Sequence, residues 1–307
     1  MKPYLNNNKD LLIEIINNSF LAKLYNDEYT NWFSIEEAYY EELVENFFDN
    51  RMLYPVDFKD NPQKLLDLKK LNNDISNIKT VFKKYLVDNI SPVINEDFCK
   101  SLFELTKKRK NITVINFNYT NTIHLYKNVF SFNCIHIHGN IDEEIIFGYG
   151  DDTDENYLKM KYSKEKEFLR FFKTFDYLKT NYYRKALNAI SVFENYDVIN
   201  IGHSIELTDK TILKTILDSK KCDNIEFLKR SDLKNEIEKK EKHFELHANL
   251  SRIFESEKDL REKVISFDRS INFPLLSSGD IEKIQERENE LFLKKKRTTI
   301  KTVPRNH

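Results

Sequence analysis

Five short runs rich in β-branched and aromatic residues lie between residues 112 and 230. They are ITVINFN from Ile112, CIHIHG from Cys134, EIIFGY from Glu144, YDVINIGHS from Tyr196 and NIEFLKR from Asn224. Each has the length of a strand, and several are nearly unbroken apolar runs, as in strands covered on both faces of a sheet. Helical patterns separate them, at 121–130, 155–190 and 208–220. Strands alternating with helices predict an α/β fold of three layers around a mostly parallel sheet. Residues 198–201 should then lie beside 112–117 at its centre.

The flanks read differently. Residues 1–110 form a helical region expected to pack on that core, with helices at 9–25, 62–88, 95–109 and one opening at Ser34. Ser34 and Glu37 fit a capping box, and Ile35, Ala38, Tyr39, Leu43 and Phe47 follow at helical spacing. Pro55, Pro62 and Pro92 mark breaks. Residues 231–307 read as a charged helical extension, whose last fourteen residues carry six basic and no acidic side chains. Such a tail is expected to be solvated and poorly ordered.

Composition excludes several classes. Hydrophobic residues make up 40% of the 307, too many for a disordered chain. No apolar run approaches the ~20 residues of a transmembrane helix. A net charge of −1 provides no global field for nucleic acid or an anionic membrane. The start lacks a signal peptide's basic-then-apolar order, so the cytoplasm is the expected location. Cys99, Cys134 and Cys222 lack C-x-x-C spacing and predict reduced thiols, with no disulfide framework and no metal. Of five glycines, four fall between Gly139 and Gly202, where backbone must turn sharply or approach a ligand closely.

Four motifs could carry chemistry. Asn116-Phe117-Asn118-Tyr119-Thr120-Asn121-Thr122 follows a strand and precedes a helix, where ligands of open α/β sheets bind. Its Asn116, Asn118, Asn121, Thr120 and Thr122 could hold a ribose or an amide, or Thr120 or Asn121 could simply cap the helix. In Cys134-Ile135-His136-Ile137-His138-Gly139, a period of two would put His136 and His138 on one face. His138, beside a glycine, is placed as a general base; a metal would need Asp151, Asp152 or His203 as a further ligand. Phe147-Gly148-Tyr149-Gly150-Asp151-Asp152 reads as a ligand-facing loop or a plain turn. Gly202-His203-Ser204-Ile205-Glu206 after a strand is like a nucleophile elbow, but Glu206 replaces the second glycine. The alternative is a phosphate- or ribose-contacting loop using Gly202 and Ser204, with Asp209 following.

In order, NFNYTNTI, IHIHGN, IIFGYGDD and NIGHSIELTD resemble the phage abortive-infection AbiH family, as does the preceding NWFSIEEAYYEEL. The resemblance covers roughly residues 30–255 and implies a part in bacterial defence against phage. A more distant similarity is to the sirtuin-like NAD-binding fold, in which a Thr-x-Asn-Tyr-Asp type motif, a His-Gly strand end and a Gly-x-Ser loop meet. By position, Asn118 would lie against the nicotinamide ribose, His138 would be the base acting on it, and Gly202 and Ser204 would contact the dinucleotide. Asn116, Thr120, Gly139 and Asp209 complete the candidate NAD site. The implied chemistry is cleavage of the bond between nicotinamide and ribose.

The chain departs from these patterns in two places. Thr120 replaces the motif's aspartate. No glycine precedes Gly139, whereas the AbiH pattern opens with a strand and Gly-Asn-Gly-Phe-Asp; a late start or a lost dinucleotide loop is the expectation. Three functions follow: a defence effector binding or hydrolysing a nicotinamide dinucleotide; a non-enzymatic nucleotide-sensing or protein-interaction component of a defence system; and a metal-dependent hydrolase or nuclease using His136, His138 and Asp151. Candidate partners are a phage or defence-system trigger protein and other copies of the chain, with no call for nucleic acid or membrane.

Overall fold

A computed structural model describes Phe20 and residues 32–48, 61–233 and 235–301, with backbone alone at 32–34 and 290–301. Apart from Phe20, which is helical, the expected helix at 9–25 lies outside the described residues, as do the last six residues of the tail.

Among the described residues, α1 Trp32–Phe47, α2 Pro62–Asn89 and α3 Glu96–Thr106 precede the first strand. Ala38, Tyr39, Leu43 and Phe47 of α1 are buried, as their spacing requires. The helix begins at Trp32, so Ser34 lies inside the first turn rather than at the cap. Pro62 opens α2, where its missing N–H costs nothing. Asn95 caps α3 by accepting the Phe98 N–H at 2.8 Å. α1 and α2 enclose an apolar core with Phe147, Tyr149, Tyr157, Phe168 and Phe172.

Two parallel strand pairs follow. β1 Ile112–Asn116 pairs in register with β2 Phe132–His136, and β3 Tyr196–Asn200 pairs with β4 Cys222–Phe227. A third short pair joins β5 Lys229–Arg230 to β6 Asn272–Phe273. Between β2 and β3 lie α4 Glu155–Tyr162, α5 Lys173–Lys179 and α6 Tyr182–Ser191; α7 Lys210–Leu217 links β3 to β4. After β5 come α8 Glu236–Ser251 and α9 Glu257–Lys263, and α10 Ser278–Lys301 follows β6. The second core gathers Ile135, Ile137, Ile212, Leu213, Ile225 and Phe227 with Leu250 and Ile253. No helix among the described residues is long and apolar enough to cross a membrane.

The fold is thus α/β with parallel strands; among the described residues these form separate two-strand pairs rather than the expected continuous three-layer sheet. β1 and β3 do not pair with each other among the described residues; each has one hydrogen-bonded neighbour. Most of their side chains are half-buried, with Asn116 buried and Asp197 exposed, and Ile201 just beyond β3 is 42% exposed. The EIIFGY run forms no strand. Ile145, Ile146 and Phe147 are buried, but the local backbone bonds are scattered: Ile146 N–H to the His138 carbonyl at 2.8 Å, Gly148 N–H to the Glu36 carboxylate, Tyr149 N–H to the Phe171 carbonyl. An apolar run satisfied by so many different partners makes no ladder. The predicted helix at 121–130 is a short 3-10 turn, Thr122–Tyr126.

Candidate functional site

The carboxyl ends of β1, β2 and β3 meet. The Phe117 ring lies 5.5 Å from the His138 ring and 4.1 Å from the His203 ring, centre to centre. Tyr119 covers His138 from another side at 6.0 Å. Beneath these rings sits Asp209, at the end of the turn that leads into α7. One of its carboxylate oxygens lies 2.8 Å from Lys173 Nζ and 2.9 Å from His138 Nε2. The other is 3.3 Å from His203 Nε2. Lys173 also reaches Glu36 of α1 at 3.0 Å, and the other Glu36 oxygen accepts the Gly148 N–H at 2.8 Å. Helix α1, the start of α5, two strand ends and the turn before α7 are therefore tied by one cluster of charged and titratable side chains.

Local backbone geometry aims His203. Ile205 has φ +59°, rare for a β-branched residue. Its side chain is buried in the core, and its N–H donates to His203 Nδ1 at 2.9 Å. That bond fixes the tautomer: Nδ1 accepts, so Nε2 carries the proton and donates to Asp209. Both His203 nitrogens are committed. His138 is different. Its Nε2 is close to Asp209 but makes no aligned hydrogen bond.

Burial sets the charges. Burial alone would raise the Asp209 carboxyl, but the Lys173 charge and the two histidines outweigh it and hold it well below the usual range. Burial would lower the Lys173 amine, yet Asp209 and Glu36 keep it raised and charged. Glu36 is pushed up to about 7, because burial and the Asp209 charge exceed the pull of Lys173. Burial lowers His138, with Lys173 adding to the effect against the opposing pull of Asp209, so its imidazole is neutral at neutral pH. A neutral imidazole beside a fixed carboxylate can accept a proton. His138 is only 4% exposed, so Phe117 or Tyr119 must move before it can.

The residues singled out in the sequence divide. His138 and Asp209 belong to the cluster. Asn118 is exposed in the turn after β1. Asn116 shapes that turn: its side-chain oxygen accepts the Asn118 N–H at 3.0 Å. Thr120 bonds Thr122 at 3.0 Å between hydroxyls. Gly139 (φ +71°) is filled from within, since a β-carbon there would collide with the Glu144 carbonyl oxygen. Gly202 (φ +79°) faces open space, and Ser204 beside it is exposed. The metal triad of His136, His138 and Asp151 is not assembled. Strand β2 stops at His136 and the chain turns, so the two-residue alternation ends before His138. His136 faces His124, and Asp151 pairs with Lys210 at 2.9 Å.

Glu36 and Lys173 were missed. Their signal was a charge on an otherwise apolar face: Glu36 one helical turn before Tyr39 and Tyr40, with Glu37 beside it, and Lys173 after Phe171 and Phe172. A long charged side chain on a buried face calls for a partner.

A family model described as bacteriophage abortive infection AbiH matches residues 1–229. No curated protein and no solved structure matches.

Proposed function

This chain belongs to the bacteriophage abortive infection AbiH family, and from that premise we propose that it acts in defence against phage by binding a nicotinamide dinucleotide at the ends of β1, β2 and β3. The supporting observation is the buried cluster of His138, Asp209, Lys173 and Glu36, joined by the partly buried His203, beside the strained Ile205. Removing such charges from water is costly, and apolar residues would hold the fold as well. Shifted titratable groups and strained backbone concentrate at functional sites. Asn118 and Ser204 would contact the ribose, and Gly202 would let it approach. His138 would take a proton from a ribose hydroxyl as the bond to nicotinamide breaks; water would then add to the ribose carbon and return a proton to that hydroxyl. Asp209 would act behind it, stabilising the imidazolium, rather than touching the dinucleotide. The sirtuin-like arrangement is part of the same proposal.

The burial of His138 favours a second reading, in which the protein senses a nucleotide or binds a protein without catalysis. Incubating the purified chain with NAD separates the two. Nicotinamide release that disappears in His138→Gln supports the enzyme. A raised melting temperature without release supports the sensor; a ligand at 100 times its Kd adds about 2.7 kcal/mol. Neither release nor a shift, in a protein that still restricts phage plaques, would overturn nucleotide binding.

A further inference from the structure

A second polar cluster lies on the other side of the Asn116–Thr122 turn. His124 projects from the 3-10 turn, and Cys134 and His136 come from β2, two residues apart and so on one face of the strand. One donor atom from each lies within 4.8 Å of the others. We infer that His124, Cys134 and His136 form a binding site for a tetrahedral transition-metal ion, with zinc the first candidate.

Two observations carry this. The first is spacing. His124 Nε2 and His136 Nε2 are 3.4 Å apart. Zinc–nitrogen bonds of about 2.0–2.1 Å at a tetrahedral angle separate two ligand nitrogens by about 3.3–3.4 Å. The second is the far side of His136, whose Nδ1 lies 3.2 Å from the Asn118 carbonyl oxygen. A carbonyl can only accept, so this contact places the proton on Nδ1 and leaves the Nε2 lone pair facing His124. Metal-bound histidines are oriented in this way, donating their second N–H to a carbonyl or carboxylate. The Asn116 amide nitrogen, 3.3 Å from Nδ1, competes for the opposite tautomer, but it also reaches the Thr120 carbonyl at 3.5 Å.

The donor set suits a borderline-soft ion rather than magnesium or calcium, which take oxygen ligands. A metal-bound cysteine is a thiolate, so the ion would displace the Cys134 proton on binding. Three protein ligands leave a fourth corner for water or an outside group. The ion would join the turn after β1 to β2, beside Asn118.

The full chain, stripped with chelator, would be titrated with Zn2+ and, separately, Co2+. One equivalent should bind and raise the melting temperature. The Co2+ form should show four-coordinate ligand-field absorption with a sulfur-to-cobalt charge-transfer band. Cys134→Ser should abolish that band, and Cys134→Ser and His124→Gln should each weaken Zn2+ at least tenfold, since even outer-shell partners contribute about 10–100-fold. Both residues are only partly buried, so these variants should fold; Cys99→Ser serves as the control. No stoichiometric binding, or affinity unchanged in both variants, would leave a metal-free histidine pair and overturn the site.

Discussion

Lys173 is 1% exposed and keeps its charge only because two carboxyl groups reach it. Glu36, one of the two, is protonated more readily in the fold than its ordinary value of 4.5 allows, titrating at about 7. A group raised on folding contributes stability that is complete below its unfolded value and lost as pH rises through its folded value. The window is therefore pH 4.5 to 7, and the amount is roughly 3 kcal/mol. His138 works in the opposite sense: its lowered value stabilises the fold above the ordinary 6.5 and less as pH falls. Comparison with Glu36→Gln isolates the first effect. In urea unfolding, the advantage of the wild type over that variant should shrink steadily from pH 4.5 to 7.5; a constant difference would show that Glu36 does not titrate there. The glycines offer a second test. Gly139→Ala must adopt a left-handed backbone and also displace the Glu144 carbonyl, at roughly 2–5 kcal/mol. Gly202→Ala bears the backbone cost alone, roughly 1–2 kcal/mol, because nothing lies near it. Equal losses in the two variants would mean that Gly139 is not packed as described.

Besides Glu36, helix α1 uses Tyr40 to hold the segment that leads into α4. The Tyr40 ring stacks on Tyr149 at 3.9 Å, and its hydroxyl donates to the Asp154 carboxylate that caps α4. Tyr40→Phe keeps the stack and loses one bond, while Asp154 retains its two backbone donors; the expected loss is roughly 1–2 kcal/mol. Tyr40→Ala loses the ring contact too, roughly 3–5 kcal/mol. Thermal melts that rank the variants otherwise would place the stabilisation elsewhere. At this scale the sequence was readable where one residue type dominated. The β-branched runs located β1, β3 and β4, and the Tyr39, Leu43 and Phe47 spacing located α1. It misled where burial and pairing part company. Ile145 to Phe147 are as buried as any strand yet pair with scattered partners, and CIHIHG crosses from strand into turn without changing its alternation. His138 and Asp209 could be proposed because each ends a recognisable motif. Their link through Lys173 to Glu36 spans 137 residues, and no local pattern encodes it.

The family match stops at residue 229, but the hydrophobic core does not. Leu250, Ile253 and Phe254 close the core around β4, and the backbone of Ile265 donates to Ile225 at 2.9 Å on the outer edge of that strand. Ile271, Phe273 and Ile284 pack with Leu105 of α3, so the charged extension also holds the N-terminal side of the molecule. Glu226, 2% exposed on β4, has Arg287 of α10 and the Ile271 N–H as partners. Burying one large apolar side chain is worth about 1.5–3 kcal/mol, so Leu250, Ile253, Phe254, Ile271 and Phe273 together represent roughly 8–15 kcal/mol. That equals the whole net stability of an ordinary domain, about 5–15 kcal/mol. Deleting the extension would also strand Glu226, and removing one partner of a buried pair costs roughly 3–5 kcal/mol more. A chain ending at residue 230 keeps every matched position and every residue of the strand-end cluster. It should nevertheless show no cooperative thermal transition and no near-ultraviolet circular dichroism from fixed aromatic rings. If it melts cooperatively, the extension is an appendage; if it does not, the unit that carries the site is the matched region closed by α8 to α10.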